Sequence, residues 1–241
     1  MLEGANISKF FGGLAALKNV SFSLNMGEIV GLIGPNGAGK TTLFNVITGF
    51  TPPSSGIVRF KGRKISGLKP HKICKLGIAR TYQIVKPFSN LTVLENVVVG
   101  MVSGRRKLSL SKARSEALEI LKLVGLENKE SIQAKNLTLM DKKMLEFARA
   151  LATEPEVLLL DEVCAGLNPA EIHRAVQLIK NLQKQGLTIF WIEHIMRAIM
   201  AVADRIIVLH HGEKIAEGTP REIANDSKVI DAYLGEKYLL G

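Results

Sequence analysis

The chain contains 241 residues, 46% of them hydrophobic and 22% charged, and it carries a formal net charge of +10 at pH 7. These fractions are typical of a globular protein with a substantial core. No apolar run approaches the ~18 residues of a transmembrane helix, which excludes a membrane-spanning segment. We also expect no secretory signal. The two cysteines, Cys74 and Cys164, have no metal-ligand spacing and are expected to be free thiols.

The positive charge allows three kinds of partner: a nucleic acid, an anionic membrane surface or a polyanionic nucleotide. The densest basic cluster is Arg105, Arg106 and Lys107, in a predicted loop. We expect it to be a solvated face, with proximity to anionic lipid headgroups as the alternative. Aromatic residues make up 5% of the chain and are not interleaved with the basic residues, so base stacking has little support.

The first sixty residues predict strands and turns. Residues 20–24 and 57–60 alternate with a period of two, and residues 29–33 form an apolar run. Directly after this run, residues 34–42 contain the pattern G-x-x-x-x-G-K-[ST], and residues 43–47 then begin an apolar-periodic helix. The order of strand, glycine-rich turn and helix is the setting in which this pattern binds phosphate, so a chance match is the weaker interpretation.

This phosphate loop predicts a site for a nucleoside triphosphate. Its glycines let successive N–H groups converge on an anion, and the helix that follows adds the positive end of its dipole. Lys40 can reach the β- and γ-phosphates, and the hydroxyl of Thr41 can ligate Mg²⁺. The predicted nucleotide-binding residues of the loop are Gly34, Pro35, Asn36, Gly37, Ala38, Gly39, Lys40, Thr41 and Thr42.

From about residue 88 to residue 153 the pattern turns helical, with one helix that places Ala117 and Leu121 on one face and another from about Met140 to Leu151. Strand patterns return at residues 157–160, 187–192 and 205–209, and a helix follows Pro169. Short apolar strands that alternate with helices indicate a parallel sheet covered on both faces. We therefore predict an α/β fold with a mainly parallel sheet, N-terminal antiparallel strands and an inserted helical subdomain.

Two further strands deliver polar residues to their carboxyl ends, where sites of α/β proteins form. Asp161 and Glu162 follow the strand at 157–160; Asp161 is predicted to hold Mg²⁺ and Glu162 to polarise the attacking water. His194 follows the next strand and can hydrogen-bond the γ-phosphate. A structural histidine at a strand end is the alternative for His194.

Together these residues resemble the ATP-binding subunits of ABC transporters, a family of P-loop ATPases, over essentially the whole chain. The subgroup that powers branched-chain amino-acid import is the most similar. The matching segments are residues 7–17, 34–42, 77–83, 91–97, 145–151, 161–162, 165–169, 193–194 and 216–235. The resemblance implies a single domain with a nucleotide-binding core at residues 1–87 and 154–222. It also implies a helical subdomain at 88–153 that carries the signature segment, and a helical tail at 223–241.

The resemblance also assigns roles. Phe11 matches the aromatic residue that stacks on adenine, and Val20 would flank the base from the other side. Gln83 matches the glutamine that contacts Mg²⁺ or its water, and His194 matches the switch histidine. The expected catalytic residues are therefore Glu162, His194, Lys40 and Gln83, and the expected Mg²⁺ ligands are Thr41, Gln83 and Asp161.

The sequence departs from the family at its signature, Leu-Ser-Gly-Gly-Gln, where this chain has Leu137, Thr138, Leu139, Met140 and Asp141. Thr138 retains a hydroxyl that can cap the helix and meet the phosphate on a partner subunit. We expect Met140 to add bulk, and Asp141 a negative charge, where the partner's phosphate approaches. The signature surface is therefore predicted to be weaker than the family norm.

The resemblance implies an ATP-hydrolysing subunit on the cytoplasmic face of the membrane, which uses ATP and Mg²⁺. Its expected partners are integral membrane permease subunits, a second ATPase subunit (a copy or a related chain) and, indirectly, a substrate-binding protein. An ATPase of a lipopolysaccharide-type exporter and a nucleic-acid-associated ABC ATPase are the alternatives. No nucleic-acid partner is expected, because the chain lacks the zinc cysteines, coiled-coil insertions and tandem cassettes usual in that second class.

Overall fold

A computed structural model of the protein describes residues 1–106 and 108–238. Lys107 of the predicted basic cluster and residues 239–241 of the predicted tail lie outside the described residues. The strands are β1 (Leu2–Phe11), β2 (Leu14–Leu24), β3 (Ile29–Ile33), β4 (Ser55–Phe60), β5 (Arg63–Lys64), β6 (Ile78–Arg80), β7 (Val157–Asp161), β8 (Thr188–Ile192), β9 (Arg205–His210) and β10 (Glu213–Gly218). The helices are α1 (Lys40–Ile47), α2 (Pro70–Leu76), α3 (Val93–Ser103), α4 (Leu110–Leu123), α5 (Leu139–Leu151), α6 (Pro169–Lys184), α7 (Met196–Met200), α8 (Pro220–Ala224) and α9 (Ser227–Tyr238).

The strands form two sheets, which confirms the predicted fold class. The larger sheet has the order β10-β9-β3-β8-β7-β6, and all its pairs are parallel except the antiparallel pair of β9 and β10. The smaller sheet, with the order β2-β1-β4-β5, is antiparallel throughout. The phosphate loop follows β3, which is flanked on both sides by parallel strands, so the loop is held at the centre of the large sheet.

Strands β3 and β6 to β9 of the large sheet each contribute side chains to two hydrophobic cores. Along β8, Ile189 and Trp191 belong to the core that is shared with helices α3 to α7, whereas Phe190 and Ile192 belong to the core under the antiparallel sheet and α1. Strands that are buried on both faces are apolar throughout, because neither face meets water. This double burial fixes the sheet, and with it the strand ends that carry the polar residues.

Helices α3, α4 and α5 lie within the proposed helical subdomain and pack on one another through buried residues such as Val97, Ala117, Leu121 and Phe147. A capping box starts α3, in which Thr92 and Glu95 bond each other's backbone N–H groups. The predicted helix from about Met140 to Leu151 begins one residue earlier, at Leu139.

The two arginines of the predicted basic cluster that the structure describes form ion pairs with acidic neighbours. Arg105 forms an ion pair of 2.9 Å with Glu156, and Arg106 pairs with Glu116 at 2.6 Å and also with Glu154. The solvated-face interpretation therefore suits Arg105 and Arg106 better than lipid binding does. Among the residues that the structure describes, no helix combines the length and apolar character needed to cross a bilayer.

Candidate nucleotide-binding site

The phosphate loop adopts a backbone that only its glycines permit. Gly34 has φ of 147°, and a Cβ atom there would lie 2.1 Å from the carbonyl oxygen of Leu209. Gly39 caps α1 in the left-handed conformation with φ of 102°. Helix α1 therefore begins at Lys40, and the N–H groups in the first turn of a helix are suited to binding an anion.

Lys40 is folded back onto its own loop. Its side chain is 6% exposed, and Nζ donates hydrogen bonds to the carbonyl oxygens of Gly34 at 2.6 Å and Pro35 at 2.8 Å. These carbonyls hold the ammonium group beneath the loop, where a phosphate oxygen can replace them as its acceptors. Gly34 and Pro35 are themselves buried and serve as supports of Lys40.

A cavity of about 760 Å³ opens in front of the loop. Predicted site residues that line it are Phe11, Asn36, Gly37, Ala38, Gly39, Lys40, Thr41, Thr42, Glu162 and His194. The ring of Phe11 is 51% exposed, so a flat ligand can stack on it. His211 and Lys18 also line the cavity, although no motif in the sequence pointed to them.

Glu162 contacts two of the other proposed catalytic side chains, those of His194 and Gln83. Its Oε1 lies 2.7 Å from Nε2 of His194, and its Oε2 accepts a hydrogen bond of 2.5 Å from Nε2 of Gln83. Glu162 itself has φ of 50°, a left-handed conformation that is costly for a residue with a side chain. The structure thus brings Gln83, Glu162 and His194 to one point, although they lie far apart in the sequence.

Glu193 fixes the backbone around this point and was not singled out by the sequence. Its carboxylate is buried and accepts hydrogen bonds from the N–H groups of Cys164 at 3.1 Å, His194 at 2.9 Å and Ile195 at 3.2 Å. The same carboxylate therefore connects the turn after β7 to the turn after β8, and this contact fixes the backbone position of His194.

Asp161 is buried beside an arginine that sequence reasoning missed. The guanidinium of Arg80 lies 2.5 Å from Oδ2 of Asp161, donates to Asn45 at 2.7 Å and lies over the ring of Tyr82. Burial raises the pKa of the Asp161 carboxyl above its ordinary value, and Arg80 opposes that rise. The other carboxylate oxygen, Oδ1, is buried without a hydrogen-bond partner in the described part of the chain.

The prediction for Val20 is wrong. Its side chain is 0% exposed, belongs to the core under the antiparallel sheet and does not line the cavity. Asn19 has φ of 49°, and the pairing of β2 with β1 shifts register between Ile7 and Lys9. Val20 lies on the buried face of β2 with Phe22 and Leu24, and Ala16 and Lys18, which precede Asn19, line the cavity in its place.

The signature segment begins α5, and its side chains are arranged differently from expectation. Thr138 caps the helix, because its hydroxyl accepts the N–H of Asp141 at 3.2 Å. Met140 is 8% exposed and packs into the core, whereas Leu139 is 47% exposed. The bulk at the surface therefore comes from Leu139.

The charge of Asp141 is also compensated, since its carboxylate accepts a hydrogen bond of 2.7 Å from Lys129. Burial alone would raise the pKa of Asp141, but the contacts with Lys129 and Thr138 lower it overall. The negative charge expected at this surface is thus partly neutralised.

A second cavity of about 560 Å³, the side groove, lies next to the first. Thr41 lines both cavities, and Gln83 and Asp161 line the side groove rather than the cavity in front of the loop. Exposed apolar side chains, Phe50, Tyr82 and Ile84, line the side groove together with Arg80, Lys86, Asn45, Glu146 and Arg149. Gln83 therefore connects the two cavities, because its side chain reaches Glu162.

Comparisons with known proteins agree with this geometry. The family model described as ABC transporter matches residues 17–165, and the model described as branched-chain amino acid ATP-binding cassette transporter matches residues 213–238. The high-affinity branched-chain amino acid transport ATP-binding protein LivG of Salmonella typhimurium is 45% identical over 240 residues, which cover 94% of each chain.

Solved structures of similar proteins share the fold. A nucleotide-free ATP-binding cassette from an ABC transporter has a TM-score of 0.88 and 32% identity, covering 97% of this chain and 98% of that one. The dimeric bacterial ABC transporter cassette MJ0796 has a TM-score of 0.83 and 30% identity, covering 92% of this chain and 99% of that one.

Proposed function

The chain belongs to the ABC transporter family as an ATP-hydrolysing subunit, and from this premise we propose that it powers the import of branched-chain amino acids. The observation that carries the substrate class is the match of residues 213–238 to the branched-chain subgroup model, together with 45% identity to a branched-chain amino acid transport protein. The exporter and nucleic-acid alternatives have no such support.

ATP with Mg²⁺ is the proposed ligand of the cavity in front of the phosphate loop. The unpartnered Oδ1 of Asp161 and the exposed hydroxyl of Thr41 offer oxygen ligands, which Mg²⁺ prefers. No group of three or more His, Cys, Asp or Glu side chains in the described residues could hold a metal alone. We therefore propose that phosphate oxygens and water supply the remaining ligands, with Gln83 next to the metal.

Hydrolysis is proposed to depend on a change of hydrogen-bond partners. Lys40 would exchange the carbonyls of Gly34 and Pro35 for phosphate oxygens, and His194 would turn from Glu162 toward the γ-phosphate. Glu162 would then be free to accept a proton from the attacking water. Catalysis would come from positioning and charge stabilisation, as in other phosphoryl transfers.

The working form is proposed to be a head-to-tail dimer with a copy or a related chain, in which Thr138 and the first turn of α5 meet the partner's ATP. The similarity to a dimeric cassette supports this arrangement. Leu139 would lie against the incoming nucleotide, where the family usually has glycine, so this surface would bind the partner's phosphate loop less tightly.

Leu139→Gly is expected to tighten ATP-dependent dimerisation several-fold, because it removes the exposed side chain at the proposed contact. Met140→Gly is expected to lower the free energy of unfolding by about 2–5 kcal/mol, because Met140 is buried. Light scattering with ATP and thermal unfolding would measure the two effects. Unchanged dimerisation of Leu139→Gly would show that Leu139 does not meet the partner.

The side groove is the proposed docking site for a loop of the permease subunits. Its exposed apolar residues and its link to Glu162 through Gln83 suit a contact that couples permease movement to the ATP site. This arrangement would hold the subunit at the cytoplasmic face of the membrane as a peripheral protein, with a substrate-binding protein engaged indirectly through the permeases.

Reconstituted transport tests the proposal. Proteoliposomes that contain this subunit, its permease subunits and their substrate-binding protein should accumulate leucine only when ATP is supplied on the side of this subunit. A sugar of similar size should not be taken up. ATP-driven efflux of leucine or of lipid, or uptake that is indifferent to leucine, would contradict the assignment.

A further inference from the structure

The net charge of the chain lies in one segment of the sequence. Residues 29–94 contain ten Lys and Arg residues and no Asp or Glu, so this segment carries the whole net charge of +10. Four of the ten are engaged: Lys40 and Arg80 lie in the site, Lys61 pairs with Glu156, and Arg59 donates to the carbonyl of Gly62. The remaining six are Arg63, Lys64, Lys69, Lys72, Lys75 and Lys86.

Three of these cations lie on α2 or directly before it. Lys69 precedes the helix, and Lys72 and Lys75 follow at intervals of three residues, so that Lys72 and Lys75 lie on one helix face. All three are exposed, as is His71, and no ion pair among the described residues includes any of the three lysines. We call Lys69, Lys72 and Lys75 the basic α2 surface.

The opposite side of α2 faces a small cavity next to the side groove. Pro70, Ile73 and Cys74 line a small cavity of about 210 Å³. Four further residues of that cavity, Arg80, Tyr82, Glu146 and Arg149, also line the side groove. Helix α2 therefore lies beside the side groove in which the permease is proposed to dock, and its lysines are exposed next to that groove.

We propose that the basic α2 surface binds anionic phospholipid headgroups of the membrane in which the permease is embedded. This inference rests on the proposed function, since a docked permease brings the side groove toward the bilayer. Lysines near an anionic leaflet each add to membrane affinity, and the attraction disappears within about a Debye length. Residues 29–94 contain no acidic residue, so no neighbour in sequence opposes this attraction. A nucleic acid is the less suitable partner, because α2 has no Phe, Tyr or Trp on which a base could stack.

Vesicle sedimentation with the purified full chain tests the proposal without any permease. The chain should bind vesicles of phosphatidylcholine with 30% phosphatidylglycerol and not vesicles of phosphatidylcholine alone, and 0.5 M NaCl should release it. The triple variant Lys69→Gln, Lys72→Gln, Lys75→Gln should bind on the order of tenfold or more weakly. A matched control, Lys122→Gln, Lys180→Gln, Lys184→Gln, removes the same charge from exposed positions on α4 and α6 and should bind as the parent does.

Three outcomes would overturn the proposal: no binding to the anionic vesicles, equal loss in both triple variants, or tighter binding of the parent chain to a single-stranded oligonucleotide than to the vesicles. Melting temperatures within about 2 °C of the parent's would show that both variants are folded. Leucine uptake by proteoliposomes is a separate readout, so failure of lipid binding is distinguishable from failure of the proposed transport function.

Discussion

Replacing Glu162 with glutamine is expected to reduce ATP turnover at least 100-fold and to leave ATP binding intact. The carboxylate lies within hydrogen-bond distance of His194 and Gln83, at the end of a strand in the cavity in front of the phosphate loop. A glutamine side chain has a similar shape but cannot accept a proton, and loss of a positioned general base typically costs 10²–10⁴ in rate. Bound ATP should therefore persist, and the variant should accumulate as an ATP-bound dimer in size-exclusion chromatography.

A matched control is Glu119→Gln, which removes the same charge from an exposed position on α4. Its turnover should equal that of the parent chain. Turnover of Glu162→Gln within threefold of the parent would show that another group accepts the proton, and would remove the basis of the proposed chemistry. Loss of ATP binding in the same variant would instead assign Glu162 a structural role.

The parts of the site that were predictable from the sequence are those with a local cause. The phosphate loop requires glycines at positive φ, and Gly34 and Gly39 have that conformation. Strands β3, β7, β8 and β9 of the large sheet are largely apolar because both of their faces are buried, and the stripe of α6 is apolar because one of its faces packs on the core. Each of these patterns lies within one short stretch of sequence, so it can be recognised without knowledge of the fold.

The parts that were not predictable depend on contacts between distant segments. Arg80 ends β6 and Asp161 ends β7, and these strands are neighbours in the sheet although the whole helical region separates them in sequence. The bulge at Asn19 shifts the register of β2, so the residues of β2 that reach the cavity were not predictable from the sequence. Glu193 reads as an ordinary polar residue until two turns converge on its carboxylate.

Arg80→Met is expected to lower the free energy of unfolding by roughly 3–5 kcal/mol, because it leaves a buried carboxylate without its cation. The side chains of Arg80 and Asp161 are each 4% exposed, so water cannot replace the ion pair. For a chain of this length, each kcal/mol corresponds to a fall in melting temperature of about 2–4 °C. Thermal unfolding would measure the change, and Arg59→Met, at an exposed position, should change stability by less than about 0.5 kcal/mol.

Two comparisons separate the charge of Arg80 from its packing against Phe44 and Tyr82. Adding Asp161→Asn to Arg80→Met removes the orphaned charge, so the double variant should recover most of the lost stability. If the double variant stays as unstable as Arg80→Met, the loss comes from packing.

Mg²⁺ with ATP should raise the melting temperature of Arg80→Met more than that of the parent, because the metal supplies the cation that Asp161 has lost. An equal rise in both would mean that Asp161 does not face the metal, which would contradict its proposed role in the site.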